Sequence, residues 1–386
     1  MLQSMKIAVF NARLWLLHRL PIKKNKVVIW ANSFKSYGDS PKYITEYLCK
    51  NYTDVFDIVW VFDSKVLIPD DLPEQVRVIR YFSYKYLYEI STAGFVICNA
   101  RTGPGHFFTK RKGQYYIQTW HSSVRLKKIE GDAGKLPEEY IAMAQEDSRK
   151  IDVLLSGCKF STDIFRRSFW YSGEILESGT PRSDIFFADR QNEARQKVYK
   201  HYQIDEDHWM VLYAPTFRDA KKANMHGLDQ EQLLSVLEAK TGMTWTLGVR
   251  MHPNIQNDTT FDHKSNIRGM SQYPDMQELI AACDLLITDY SSCMFDAAIC
   301  NKPCVLFASD LNEYIQNERG LYFHFEELPF PVAIDNQQLL EYIHNFDEIR
   351  YRAQVQDFLQ KIDSYEDGNA AQRVAARMLM VLGKNK

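Results

Sequence analysis

The sequence predicts an α/β protein built from two doubly wound domains. Short runs rich in β-branched and aromatic residues recur along the whole chain. Helical spacing separates many of them. The strand runs are apolar nearly throughout rather than alternating, as in parallel sheets covered on both faces. This series occurs twice.

In the first series the strands are KVVIWA (26–31), IVWVF (58–62), VRVIR (76–80), FVICN (95–99), YYIQTW (115–120) and VLLSG (153–157). Each is bounded by polar residues, Gly or Pro. SPKYITEYLCK (40–50) reads as a helix with Ser40 as its cap and Pro41 in its first turn. YKYLYEISTA (84–93) reads as a helix after Ser83. In the second series WMVLYAP (209–215), WTLGVR (245–250), DLLITDY (284–290) and PCVLFA (303–308) read as strands. LDQEQLLSVLEAK (228–240), MQELIAACD (276–284), NQQLLEYIHNF and the tail AAQRVAARMLMVLGK read as helices. The break between the series falls near GTPRSDIFFADR (179–190), where Gly, Pro and charge replace apolar strand. The expected division is 1–182, 183–365 and a final helix over 366–386.

The totals fit this plan. The chain has 386 residues, 45% of them hydrophobic, enough for two cores. The net charge is −2, so the overall balance gives no sign of a nucleic-acid partner, and any anion preference must be local. Seven scattered cysteines without a CxxC pair read as reduced core residues of a cytoplasmic protein rather than zinc ligands. The N-terminal MLQSMKIAVFNARLWLLHRLPIKKNK is broken by Asn11, Arg13, His18 and Arg19. It is too charged to span a bilayer, which needs roughly 20 mostly apolar residues. Its basic cluster follows the apolar part, unlike a signal peptide. It reads as a buried helix or as an interfacial one with a cationic flank.

In doubly wound sheets ligands bind beyond the carboxyl ends of the strands. Five strand ends carry hydroxyls, imidazoles or arginines: His121, Ser122 and Ser123; Thr180, Arg182, Ser183 and Asp184; Thr216 and Arg218, with Lys221 and Lys222; Arg250 and His252; Asp289, Ser291, Ser292 and Asp296. In DYSSCMFDAA a strand turns directly into a helix, so Ser291 and Ser292 either cap it or join its free N–H groups in a phosphate cradle. Arg218 and Arg250 can fork onto phosphate oxygens or serve as structural ion pairs. His252 can donate to a phosphate or sit as a satisfied core histidine. His121 has a near-neutral imidazole pKa suited to a base. The cations Arg125, Lys127 and Lys128 that follow it are either a solvated turn or a site for negative charge. There is no GxGxxG after the first strand, no GxxxxGK[ST], no GxSxG and no HExxH. No ligand cluster demands a metal. This inventory favours group transfer onto a hydroxyl, with one base and several fixed positive groups.

SFKSYGDSPKYITEYL, KRKGQYYIQTWHSSVRLKKI, ESGTPRSDIFF, LYAPTFRD, VRMHPN and DLLITDYSSCMFDAA, in this order over roughly residues 33 to 325, resemble the CDP-glycerol glycerophosphotransferase family of teichoic-acid and capsule synthesis. ERGLYFHFEELPFP resembles a further stretch of that family. The resemblance implies a GT-B architecture, with two Rossmann-like domains facing a cleft and a C-terminal helix crossing back to the first. It implies transfer of a polyol phosphate from CDP-glycerol or CDP-ribitol to a hydroxyl on an undecaprenyl-diphosphate-linked saccharide, with release of CMP. It makes His121 the base and places His252 at the donor diphosphate. Thr216, Arg218, Arg250, Asp289, Ser291, Ser292 and Asp296 fall on the donor side, and Ser122, Ser123, Arg125, Lys127 and Lys128 on the acceptor side. No cofactor is required, and a divalent cation at the diphosphate is left open. The implied location is the inner face of the cell membrane, on an anionic surface.

Two departures stand out. Ser122 occupies a position where the family commonly has glycine. No long extra N-terminal region is present, which suggests single addition or priming. Two other readings remain at this point: a GT-B glycosyltransferase or epimerase using a UDP-sugar, and a catalytically silent GT-B scaffold at the membrane. Oligomeric state is not readable.

Overall fold

A computed structural model describes residues 10, 13–216, 227–251, 266–311, 313–314 and 320–384. The chain forms two compact units. The first comprises residues 1–123, 129–184 and 365–386; the second comprises 124–128 and 185–364. The breaks therefore fall at 184/185 and 364/365, and a short segment after Ser123 belongs to the second unit.

The strands of the first unit are β1 (Lys23–Ile29), β2 (Asp57–Phe62), β3 (Arg77–Arg80), β4 (Ala93–Cys98), β5 (Tyr115–Gln118), β6 (Val153–Ser156) and β7 (Glu174–Glu177). They form one parallel sheet in the order β3-β2-β1-β4-β5-β6-β7. Val28 stands opposite Val59 of β2 and Val96 of β4, and Val96 opposite Tyr116 of β5. Every residue of β4 is buried, which explains its unbroken apolar run. The strand order reverses at β1/β4, so the carboxyl ends of β1, β4 and β5 frame the expected ligand crevice.

Helices α1 (Asp39–Asn51), α2 (Tyr84–Thr92), α3 (Glu138–Lys150) and α4 (Lys159–Ser168) belong to this unit. The Ser83 hydroxyl caps α2 by accepting from the Tyr86 N–H at 3.1 Å, as its position suggests. Ser40 does not cap α1. The helix starts one residue earlier, at Asp39, which has φ +58°, and the Asp39 carboxylate accepts from the Ser40 N–H at 2.6 Å.

The second unit holds α5 (Arg190–Tyr202), β8 (Trp209–Tyr213), α6 (Gln230–Thr241), β9 (Trp245–Val249), β10 (Ile267–Gly269), α7 (Met276–Ala282), β11 (Leu285–Thr288), α8 (Cys293–Ile299), β12 (Cys304–Phe307), β13 (Val332–Ala333), α9 (Asn336–His344) and α10 (Glu348–Lys361). Its parallel sheet runs β10-β9-β8-β11-β12-β13, with the reversal at β8/β11. Asp229 and Asp275 cap α6 and α7 through the N–H groups of Gln232 and Gln277.

The last helix, α11 (Ala370–Lys384), belongs to the first unit and packs on α1. Val374, Ala375 and Met378 enter the core that holds Ile44 and Leu48 of α1 and Ile29 of β1. All seven cysteines are buried thiols, and burial pushes Cys98 up to about 12.

Candidate active site

In the first unit the site starts from the loop after β1. Asn32, Ser33 and Phe34 all have left-handed backbones, with φ 47°, 54° and 70°. Non-glycine residues hold that conformation only where surroundings over-determine it. Here Asn99, just past β4, supplies the constraint. Its side-chain oxygen accepts from the Asn32 N–H at 2.8 Å, and its amide nitrogen donates to the Asn32 side-chain oxygen at 3.0 Å. The two amides tie the ends of β1 and β4 together at the reversal point.

His121 follows β5 and is exposed, whereas Ser122 and Ser123 are buried. The His121 Nδ1 lies 3.2 Å from the Asn99 carbonyl. A carbonyl can only accept, so Nδ1 carries the proton and, in the neutral ring, Nε2 holds the lone pair. The imidazole rests against Trp120, with centroids 4.4 Å apart. Trp120 itself has φ +51° and meets Phe169 edge-on at 4.8 Å. Behind them lies the buried Arg101 guanidinium, 3.6 Å over the Phe169 ring. It pairs with Glu130 at 3.0 Å and Asp147 at 3.4 Å. Burial raises the Asp147 carboxyl above the usual carboxylate range, against the opposing pull of Thr102 and Arg101.

The turn after β7 braces the same histidine. Arg182 donates to the His121 carbonyl at 2.5 Å and pairs with Asp39 at 2.9 Å. The Thr180 and Ser183 hydroxyls bond to each other. Asp184 accepts from the N–H groups of Ala370 and Ala371, which caps α11.

Arg125, Lys127 and Lys128 lie in the second unit, although they are close to His121 in sequence. Arg125 is buried, so it is not part of a solvated turn. Lys127 pairs with Leu321 across an antiparallel bridge, and its ammonium lies 5.3 Å over the Tyr314 ring. The Lys128 N–H donates to the Gly320 carbonyl.

In the second unit Thr216 and Asp289 join the ends of β8 and β11. The Thr216 N–H and hydroxyl both donate to the Asp289 carboxylate at 2.9 Å. Asp289 thus clamps the loop after β8 to the end of β11. Asp296 is buried in α8, where Gln277 donates to it at 3.3 Å. Ser292 stands at the N-cap of α8 without a side-chain cap bond, and the Ser291 hydroxyl lies 3.4 Å from the Cys293 N–H. Both serines are half-buried at the strand-to-helix turn. Arg250 donates to the Tyr273 carbonyl at 2.6 Å, and burial lowers its pKa from the usual guanidinium value. Arg218, Lys221, Lys222 and His252 lie outside the described residues.

Sequence reasoning passed over Asn32 and Asn99, which join the ends of β1 and β4. The two asparagines each stand just past a strand, as WAN and ICN, and the strand-end rule that selected His121 applies to them equally. Among the described residues Asp205, Asp207 and His208 could approach one metal ion, but they lie just ahead of β8, away from the strand ends described above.

Residues 13–380 match the sequence profile of the family described as CDP-glycerol:poly(glycerophosphate) glycerophosphotransferase. The chain is 30% identical over 394 residues to the teichoic acid poly(glycerol phosphate) polymerase of Bacillus spizizenii, covering 98% of both chains. It is 31% identical over 370 residues to the polymerase of the same description from Staphylococcus epidermidis, and spans about half (50%) of that protein's length. Its structure superposes on that of the wall teichoic acid polymerase TagF with a TM-score of 0.83 at 28% identity, covering 100% of this chain and 96% of the other. Profile, sequence and structure agree over both units: the chain belongs to the CDP-glycerol:poly(glycerophosphate) glycerophosphotransferase family.

Proposed function

We propose that the chain transfers glycerol phosphate from CDP-glycerol to a hydroxyl of a membrane lipid-linked saccharide, releasing CMP. The family match sets the reaction class. The observation that carries the chemistry is the His121 ring, exposed at a strand end with Nδ1 facing the Asn99 carbonyl and the lone pair left on Nε2. Nε2 takes the proton of the acceptor hydroxyl as its oxygen bonds to the β-phosphorus of the donor. The bond from that phosphorus to the bridging oxygen breaks, and CMP leaves with the oxygen and its electron pair. Arg250, the Ser291 and Ser292 hydroxyls and the loop held by the Thr216–Asp289 clamp stabilise the charge on the diphosphate. Arg218 and His252 are donor-side candidates on the same reading. A divalent cation remains compatible with this scheme, and CDP-ribitol is the alternative donor.

The N-terminal segment supports a position on an anionic membrane face. Trp15, Leu16 and Leu20 are 62%, 55% and 37% exposed, and the exposed Lys23 and Lys24 follow them. This pairing of apolar and cationic surface suits a lipid interface. Among the described residues no helix is long and apolar enough to cross a membrane.

The test is CMP release from CDP-glycerol and CDP-ribitol, with a diphosphate-linked saccharide acceptor in anionic or zwitterionic vesicles. Release is expected from CDP-glycerol, faster on anionic vesicles, and about 100-fold or more slower in His121→Ala. Full turnover by that variant removes His121 from the mechanism. Release from neither donor, together with thermal stabilisation by UDP rather than CDP, overturns the donor class.

A further inference from the structure

We infer that Glu366 is a positioning residue for His121: its carboxyl group joins the turn that carries His121 to the turn that carries Arg182. The inference rests on the reading of His121 as the base. Thr180 donates to this carboxyl from its N–H, at 3.1 and 3.0 Å to the two oxygens, and from its hydroxyl at 2.7 Å. The buried Ser123 hydroxyl lies against the same group. Two glycines make the room. A Cβ on Gly157 would stand 2.1 Å from the Ser123 hydroxyl and 2.5 Å from a Glu366 oxygen. A Cβ on Gly179, at φ +78°, would stand 3.0 Å from the other oxygen. The neighbouring Tyr365 N–H donates to the Gly157 carbonyl, which fixes the approach.

Glu366 thus lies beside Ser123, two residues past the imidazole, and accepts from Thr180, two residues before the arginine that grips the His121 carbonyl. It touches neither the ring nor any reacting atom. The charged groups around it are Asp184 from the 181–186 turn, Arg373 from α11, and Asp367 and Arg182 beside them. Burial, with Asp184 adding to it, pushes the Glu366 carboxyl up to about 8, against the hydrogen bonds from Thr180. The neutral form therefore prevails at pH 7. Ionisation above that range adds a second negative charge beside Asp184, which costs stability, while the carboxylate still accepts from Thr180.

The experiment measures kcat and KM for CDP-glycerol in the full chain, comparing wild type, Glu366→Gln and Glu366→Ala, each also with His121→Ala, from about pH 6.5 to 9. Glu366→Ala is expected to lower kcat about 10-fold or more, with KM and CDP-induced thermal stabilisation unchanged. It is expected to cause no further loss in the His121→Ala background. Glu366→Gln, which keeps the shape and an acceptor oxygen, should stay within about twofold of wild type across this pH range. An equal loss in both backgrounds or a proportional rise in KM overturns the proposal. NMR of the His121 ring gives a readout independent of turnover. Its resonances should move in Glu366→Ala and not in Glu366→Gln, and an unmoved ring in a folded Glu366→Ala overturns the proposal. Wild-type turnover by His121→Ala means that the base assignment has failed and this proposal with it. An inactive His121→Ala beside a fully active Glu366→Ala means that only the role of Glu366 has failed.

Discussion

Replacing Arg101 by methionine tests whether the layer beneath His121 stands on an electrostatic foundation. The guanidinium is buried between Glu130 at 3.0 Å and Asp147 at 3.4 Å, and also donates to the Ser148 hydroxyl and the Phe169 carbonyl. At an effective dielectric of about 20, each ionic attraction is worth about 5 kcal/mol. Removing the cation from water takes back several kcal/mol of that sum. The variant also strands two buried carboxylates, so a net loss of about 3–5 kcal/mol is expected. For a unit of this size that lowers Tm by roughly 10 °C, read by circular dichroism. The pH dependence has a definite sign. The folded-state pKa of Asp147 is already raised above its ordinary value of 3.8, and losing Arg101 raises it further. A group shifted this way contributes stability below its unfolded pKa and loses it as pH rises through the folded value. Arg101→Met should therefore be closest to wild type near pH 5 and furthest from it near pH 8. Adding Asp147→Asn should restore about half of the loss, because one stranded charge is gone. A loss under about 1 kcal/mol, or one that grows on acidification, refutes the reasoning.

Glu366→Gln should alter the pH dependence of stability. The Glu366 carboxyl moves from 4.5 to about 8 on folding, so wild type should lose about 1–2 kcal/mol relative to the variant between pH 6 and 8. Parallel Tm curves would contradict this. Asp289→Asn removes the charge that receives both Thr216 donors and should raise KM for the donor about 10-fold while sparing His121-dependent proton transfer. Steady-state kinetics with unchanged KM would free Asp289 from that role.

The fold was legible where burial leaves a continuous apolar run. VVIWA, IVWVF, FVICN and LLITDY all contain strands close to where the residues suggest. The strands Ile267–Gly269 and Val332–Ala333 were not read. They are the two edges of the second sheet, only three and two residues long, and too short to show a pattern. The helix Glu138–Lys150 escaped because it buries only Ala144, Asp147 and Ser148, which leaves a weak apolar stripe. In the site, the rule that ligands sit past strand ends selected His121 and Thr216, which stand just beyond β5 and β8. It also selected Asp289, whose carboxylate accepts from Thr216, a pairing between two strand ends that no local pattern shows. Arg125 to Lys128 were read with His121 because they are near in sequence, but the chain changes units just after Ser123. Glu366 was invisible because its partner Thr180 is 186 positions away, and no local pattern encodes such a pairing.

The return of residues 365–384 to the first unit has a consequence for biosynthesis. A ribosome makes the chain from the N-terminus, and the sheet around β1 emerges first. Its core lacks Val374, Ala375 and Met378 until the second unit has been made. The turn bearing His121 likewise waits for Glu366. The second unit, continuous from 185 to 364 apart from one short segment already made, has all its residues before that moment. Order of synthesis and order of completion are opposite. Of the two units, the one that carries His121 is begun before the other and completed after it, so the turn around His121 meets Glu366 only once the second unit has been translated.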